Sequence, residues 1–186
     1  SVSRRGVARY TETQGALDGV RIYVLGRLDH LLGPLLERDL ADGAISRAEA
    51  YDLLCRYLLH LDYKLDLDAP VETAYNRLEL GGTLILGGCD ETGAEVCNEV
   101  TFLVLRAHQE LGLLYPKLHC RVSRNSPQAY LDAINQNLLA GRNVLSFLND
   151  DAIIPAQIRA GKRAEDARNY VAGGCWEVIV EGCEHS

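Results

Sequence analysis

The sequence predicts an α/β fold in which a helical hairpin leads into parallel strands covered by helices. Three features carry that reading. Leucines recur at three-to-four spacing through the first third of the chain, short apolar runs alternate with helix-period segments after Leu80, and the composition is that of one well-packed domain. With 186 residues, 47% hydrophobic and 24% charged, the chain is neither disordered, collagen-like nor solenoidal. It is long enough to bury a core without disulfides or a structural metal.

From Val24 to Leu40, the residues Leu25, Leu28, Leu31, Leu32, Leu35 and Leu36 form a stripe along one side of a helix, with Gly33-Pro34 as the place where it kinks or restarts. Asp42-Gly43 ends it. Ser46 and Glu49 then stand in capping-box relation ahead of a second stripe, Leu53, Leu54, Tyr57, Leu58 and Leu61, so residues 1–79 read as mainly helical. From residue 80 to 186 strand and helix alternate. Gly82 to Gly88 is an apolar run bounded by glycines, a buried strand, and a helix with Val100, Leu103, Leu105, Ala107 and Leu111 follows. Leu118, Cys120 and Val122 alternate with His119 and Arg121 as a strand does; Ser126-Pro127 reads as an N-cap with proline at the first helical position, and Gly141 closes that helix. Val144 to Leu148 is a third strand, Asp151 to Ala160 a helix stopped by Gly161, Ala164 to Val171 another helix, and Trp176 to Val180 a fourth strand. No repeat, low-complexity tract or Gly/Ser linker divides the chain, so residues 1–186 read as a single domain or one piece of one.

A formal charge of −7 argues against a nucleic-acid partner, because phosphate binding calls for a basic face. No apolar run approaches the roughly 20 residues of a membrane-spanning helix, so no membrane partner is expected. The six cysteines lie far apart with no signal peptide before them, which predicts separate thiols in a reducing cytoplasm. The chain opens on Ser1-Val2-Ser3-Arg4-Arg5 and contains no methionine, the mark of a processed or internal segment.

Motifs for phosphate cradling, serine hydrolysis and zinc proteolysis are missing from the sequence. Cys89 and Cys97, like Cys175 and Cys183, are eight residues apart, too far for a tight turn to aim both thiolates at one ion, and no metal is expected. The sharper feature is Gly173-Gly174-Cys175-Trp176-Glu177. In extended chain, side chains two residues apart share a side, so Cys175 and Glu177 can address one bound molecule as hydrogen carrier or nucleophile beside a base. Taken alone, the pentapeptide fits better a buried structural cysteine and an exposed glutamate at a strand start.

The order of motifs resembles the glycyl radical enzymes of the pyruvate formate-lyase type. Gly26-Arg27-Leu28-Asp29-His30 with Pro34 and Arg38-Asp39-Leu40 is similar to that family's G-R-[FL]-D-Q helix. Gly87-Gly88-Cys89-Asp90-Glu91-Thr92-Gly93 and Asn98-Glu99-Val100-Thr101 are similar to its G-G-x-D-x-x-G and N-E-[LVI]-[ST] stretch. Pro116 to Val122 with Ser126-Pro127, then Phe147 to Asp151 with Ile153-Ile154, and Glu165 to Tyr170 follow in the family's order before Cys175.

The resemblance implies part, about half, of a ten-stranded α/β barrel with the N-terminal helical hairpin. It also implies a loop that places Cys175 inside the barrel as a thiyl radical abstracting hydrogen from a small polar substrate. Glu177, two residues on, matches members that act as dehydratases, C–N or C–S lyases or decarboxylases. Pyruvate-cleaving members have paired cysteines, and Trp176 stands in the second place here. A radical belongs in a water-excluded interior, and a glutamate desolvated there has its pKa pushed upward toward neutral. Arg21 and Ile22 fall where dehydratase-like members contact substrate, and an arginine there grips a carboxylate or sulfonate, or is a surface charge. For Arg27, Asp29, Asn98 and Arg121 the expectation is buried ion pairing and loop anchoring, and for Asn149-Asp150-Asp151 a helix cap.

The sequence departs from the family in lacking the R-V-x-G-[FWY] glycine motif, so the glycine radical domain is not in these residues. This segment is expected to bind no cofactor; the glycyl radical would sit on another domain and be installed by a radical S-adenosylmethionine activase. Besides that activase, the expected partners are the small-molecule substrate, the remainder of the enzyme or a partner chain, and a second copy in a homodimer. Two competing readings stand beside this one: a non-catalytic barrel piece serving binding or assembly, and a cysteine hydrolase with His119 or His108 as base. A half barrel exposes a strand edge and an apolar face. Size-exclusion chromatography is therefore expected to show self-association of the 186-residue chain, and a stable, monodisperse monomer counts against the fragment and the subunit readings alike.

Overall fold

The computed structural model describes residues 23–63, 82–142, 144–173 and 176–180. Strand β1 (Tyr23–Arg27) is followed by helices α1 (Leu28–Ala41) and α2 (Arg47–Tyr63), then β2 (Gly82–Gly87), α3 (Glu99–Leu111), β3 (Lys117–Val122), α4 (Gln128–Leu139), β4 (Leu145–Asn149), α5 (Asp150–Arg159) and the short α6 (Ala164–Arg168). A hairpin of β5 (Val171–Gly173) and β6 (Glu177–Ile179) comes last.

The sheet is parallel in the order β1-β2-β3-β4. Leu84, Leu86, Leu118, Cys120 and Leu145 point from it into one apolar core with residues of α1, α2, α3 and α4. The opposite face carries Leu148 against Tyr170, Ala172 and Val180, a second, smaller cluster. With α1 to α4 on one side, the other side is left to the hairpin and to Ile153 and Ile154 of α5, which pack on the same small cluster. The sheet therefore has a face covered by four helices and a face covered by the hairpin and α5.

Several local expectations hold. Ser46 and Glu49 form a reciprocal capping box at the start of α2: the Glu49 N–H donates to Ser46 Oγ at 3.2 Å and the Ser46 N–H donates to Glu49 Oε2 at 2.9 Å. Asn98 Oδ1 accepts from the Val100 N–H at 3.0 Å and Thr101 Oγ1 from the Asn98 N–H at 3.1 Å, which starts α3. Asn149 caps α5 by accepting from the Asp151 N–H at 3.0 Å.

Other expectations are corrected. Residues 24–27 are a strand and not the first turn of a helix: they pair with β2, and α1 starts only at Leu28 and runs through Pro34. With strand joined directly to helix, Leu25 falls on the leucine period by coincidence of spacing. The two N-terminal helices do not form an isolated hairpin, since each packs chiefly on α3. Ser126 does not cap α4; its hydroxyl accepts from the Ser123 N–H, and Pro127 immediately precedes the helix. The fourth expected strand, 176–180, does not join the parallel sheet, because Val171–Gly173 is itself a strand and pairs with it antiparallel. Three residues are too few to show a period against the helix before them.

Gly33 packs against the side chain that starts α3. A Cβ at this position would lie 2.1 Å from Asn98 Nδ2, the amide that donates to the Asp29 carbonyl at 3.0 Å. Glycine-to-alanine changes inside helices ordinarily stabilise by up to about 1 kcal/mol. Here the sign reverses: Gly33→Ala is expected to destabilise the chain by about 1–3 kcal/mol, read as a lower urea midpoint at unchanged slope.

Candidate active site

The hairpin lies on the face of the sheet opposite α1 to α4. Val171, Ala172 and Gly173 are all buried, and β5 runs over β1 and β2. Thr83 Oγ1, rising from β2, donates to the Ala172 carbonyl at 3.1 Å, and Gly173 sits where a Cβ would touch Val24 Cγ2 at 3.4 Å. The chain reverses between Gly173 and Glu177, which are paired, and the Trp176 N–H donates to the Gly173 carbonyl at 2.7 Å. Trp176 has φ +73°, the left-handed conformation that closes three-residue hairpin loops and that glycine ordinarily supplies.

The segment leading into β5 is held by buried charge. Arg121, fully buried on β3, directs Nε to Asp150 Oδ1 at 2.9 Å and Nη2 to Asp150 Oδ2 at 2.8 Å. The same guanidinium donates to the carbonyls of Arg168 at 2.8 Å and Tyr170 at 3.3 Å and stacks on the Tyr170 ring, 4.1 Å from its centroid. Tyr170 Oη donates to Asp150 Oδ1 at 2.6 Å. Burial alone would lower the Arg121 pKa, but the hydrogen bonds and charge of Asp150 outweigh it and raise it. Arg27, on β1, donates to Asn169 Oδ1 at 2.9 Å and to the Gly87 carbonyl at 3.3 Å. Its pKa is lowered to about 10 by burial and then by the neighbouring Arg121, so it stays protonated at neutral pH. Gly88 makes room for this arrangement, since a Cβ there would lie 2.4 Å from Arg121 Nε.

A second buried carboxylate, Asp29, joins α1, β2 and α3. It accepts from the Gly87 N–H at 2.7 Å, the Thr101 hydroxyl at 2.9 Å and the His30 N–H at 2.9 Å. Burial raises its pKa against the pull of those hydrogen bonds. The anchoring roles expected of Arg27, Asp29, Asn98 and Arg121 are therefore what the geometry shows. Asp150, Tyr170 and Thr83 complete the network. A charged residue in the middle of an apolar strand was the available signal, because it demands a buried partner.

Of the sequence-predicted site residues, Cys175, Arg21 and Ile22 lie outside the described residues. Glu177 is exposed, as is Trp176 beside it, which corrects the expectation of a desolvated carboxylate. The reason is the alternation along its strand: Val178 and, just after β6, Val180 turn into the small cluster, so Glu177 and Ile179 face away from it. The two histidines named as candidate bases are both buried. His108 is on the helix-covered face with Nε2 bonded to the Pro116 carbonyl at 2.8 Å, and burial lowers its pKa. His119 is buried on the hairpin face against the Ala172 main chain, neither ring nitrogen has a hydrogen-bond partner, and burial pulls its pKa down to about 4.

Residues 17–185 match the family described as pyruvate formate lyase-like. The isethionate sulfite-lyase of Nitratidesulfovibrio vulgaris is 29% identical over 154 residues, covering 82% of this chain and 19% of that protein. The trans-4-hydroxy-L-proline dehydratase of Clostridioides difficile is 29% identical over 164 residues, covering 86% of this chain and 20% of its own length. Among solved structures, a glycyl radical enzyme from Archaeoglobus fulgidus superposes with a TM-score of 0.81 at 27% identity, covering 96% of this chain and 23% of that one. The chain thus spans about a fifth of the length of the curated relatives it matches.

The buried imidazole of His119 gives a test of this layering. A histidine whose folded pKa is depressed leaves the native state proton-poor, so its contribution is complete above the unfolded value near 6.5 and is lost as pH falls toward about 4. Between pH 7.5 and pH 5 wild type should lose about 2 kcal/mol more stability than His119→Phe. Urea titrations at those two pH values measure the difference, and equal losses for the two proteins would show that His119 is not buried as described.

Proposed function

The chain belongs to the pyruvate formate lyase-like family, and on that premise we propose that it is the catalytic-cysteine segment of a glycyl radical enzyme. In this reading Cys175, as a thiyl radical, takes a hydrogen atom from a carbon of a small polar substrate: an S–H bond forms, a C–H bond breaks, and the unpaired electron passes to the substrate carbon. The substrate radical then eliminates a neighbouring group, as in dehydration or C–N or C–S cleavage, or loses carbon dioxide. Glu177 exchanges the proton that accompanies departure of the leaving group. Arg21 and Ile22 contact the substrate, with the guanidinium gripping an anionic group.

The observation that carries the proposal is the hairpin on the face opposite α1 to α4, anchored by Thr83 and Arg121 immediately before Gly173-Gly174-Cys175. In an α/β barrel the layer of helices lies outside, so the face opposite that layer is read as the barrel interior. The four described strands are read as belonging to about half of a ten-stranded barrel, with further chain or a partner chain completing it. The radical itself would be supplied by a glycine on another domain, after installation by a radical S-adenosylmethionine activase. Anaerobic metabolism in the cytoplasm and a homodimeric assembly go with this reading.

The test is made in the activated enzyme that carries this segment. Cys175→Ser is expected to lower turnover by a thousandfold or more, on the order seen when a covalent catalyst is removed, while the glycyl radical signal in electron paramagnetic resonance persists. Glu177→Gln should cost about a hundredfold in kcat. Retained turnover in Cys175→Ser would overturn the proposal. The hydrolase reading differs in thiol chemistry: iodoacetamide labelling of Cys175 against pH should rise with a midpoint near or above about 8.5, whereas a midpoint near 6 would favour an activated cysteine.

A further inference from the structure

We propose that Arg121, acting through Asp150 and Tyr170, is the positioning residue that fixes the cysteine hairpin against the sheet. Three strands send polar anchors to one short stretch of main chain. Arg27 of β1 holds the Asn169 side chain, Thr83 of β2 holds the Ala172 carbonyl, and Arg121 of β3 holds the carbonyls of Arg168 and Tyr170. From the β4 side, Asp150 at the start of α5 accepts both Arg121 and the Tyr170 hydroxyl, and Leu148 packs on Tyr170. Arg168 in turn donates to the Glu91 carbonyl at 3.2 Å, so the loop after β2 closes over the same stretch.

Among these anchors Arg121 is the one that cannot be exchanged conservatively. A planar fork meets both Asp150 oxygens at once, keeps donors for two carbonyls in other directions and lies flat on an aromatic ring. Lysine has the charge without the fork or the flat face. With the fork lost, the carbonyls of residues 168 and 170 are released together, while the helix-covered core on the opposite face of β3 keeps Leu118 and Cys120 in place. The expected consequence is a local loosening of the hairpin with the fold retained.

This inference rests on the radical reading for its meaning in turnover, but its test does not. In the full 186-residue chain, cysteine alkylation is followed residue by residue by mass spectrometry, with fully buried Cys120 as the monitor of global opening. Arg121→Lys is expected to raise the Cys175 rate about tenfold, the effect of losing one charge-assisted hydrogen bond from the hairpin's local stability, with the Cys120 rate unchanged. Trp176, the single tryptophan of the chain, should lose fluorescence anisotropy at the same time, with the far-ultraviolet circular dichroism unaltered. Thr83→Val removes only the hydroxyl bond to Ala172 and should raise the Cys175 rate about fivefold, which decides the matter if the arginine variant does not fold. Unchanged Cys175 rates, or Cys175 and Cys120 rates rising by the same factor, would overturn the assignment. Failure of the radical reading would appear separately, as retained turnover in Cys175→Ser, and would leave these rates as they are.

Discussion

Arg121 has lost its water, and the organisation of the hairpin-covered face follows from that. A guanidinium removed from solvent costs several kcal/mol unless its donors are met, and an unpaired buried charge is among the most destabilising features a protein can contain. Here Nε, Nη1 and Nη2 all find oxygen acceptors, and the ring of Tyr170 covers the flat face. Two of those acceptors are main-chain carbonyls of the segment that enters the hairpin. The hairpin cannot leave without taking two carbonyl acceptors and the aromatic cover from a guanidinium that Asp150 alone does not saturate, so the need to satisfy one side chain fixes the path of a distant stretch of chain.

The same logic explains why the two faces of the sheet differ. On the helix side, Leu84, Leu86, Leu118, Cys120 and Leu145 need only apolar neighbours, and the helices supply them along amphipathic stripes. On the hairpin side, Thr83, His119, Arg121 and Arg27 are buried polar groups, which is unusual for parallel strands covered on both faces. Asp29 plays the corresponding part where α1, β2 and α3 meet, accepting from the Gly87 N–H, which is buried away from solvent. Buried polar networks of this kind specify one arrangement because every alternative leaves a donor or acceptor unmet.

Much of this was legible beforehand, and the reasons for the gaps are physical. The capping residues Ser46, Asn149 and Glu49 announce helix starts through chemistry confined to a few neighbouring positions, and those readings hold. Strand β1 was hidden because Val24 and Leu25 run into α1 with no turn between them, and periodicity needs a boundary to be read. The alternation at 118–122 gave the strand but not its surroundings. His119 and Arg121 look like the solvent side of a half-buried strand, and only the arrival of Tyr170 and Ala172 from fifty residues away makes that side interior. Glu177 shows the converse: two residues of spacing from Cys175 says which side chains share a side, and says nothing of what lies over them.

Strand β3 carries two instructions in alternate residues, packing at Leu118 and Cys120, charge satisfaction at Arg121. Because side chains switch sides at every step, removing or adding a single residue inside it would send the guanidinium among the leucines and a leucine against Asp150. Length changes in this stretch are thus forbidden to the lineage, however mild the residues involved. The connection from Gly112 to Pro116 ahead of it carries no such alternation: a length change there costs the burial of Leu113 and the bonds of Asp62 to the Leu114 and Tyr115 N–H groups, but does not exchange the two faces of the strand.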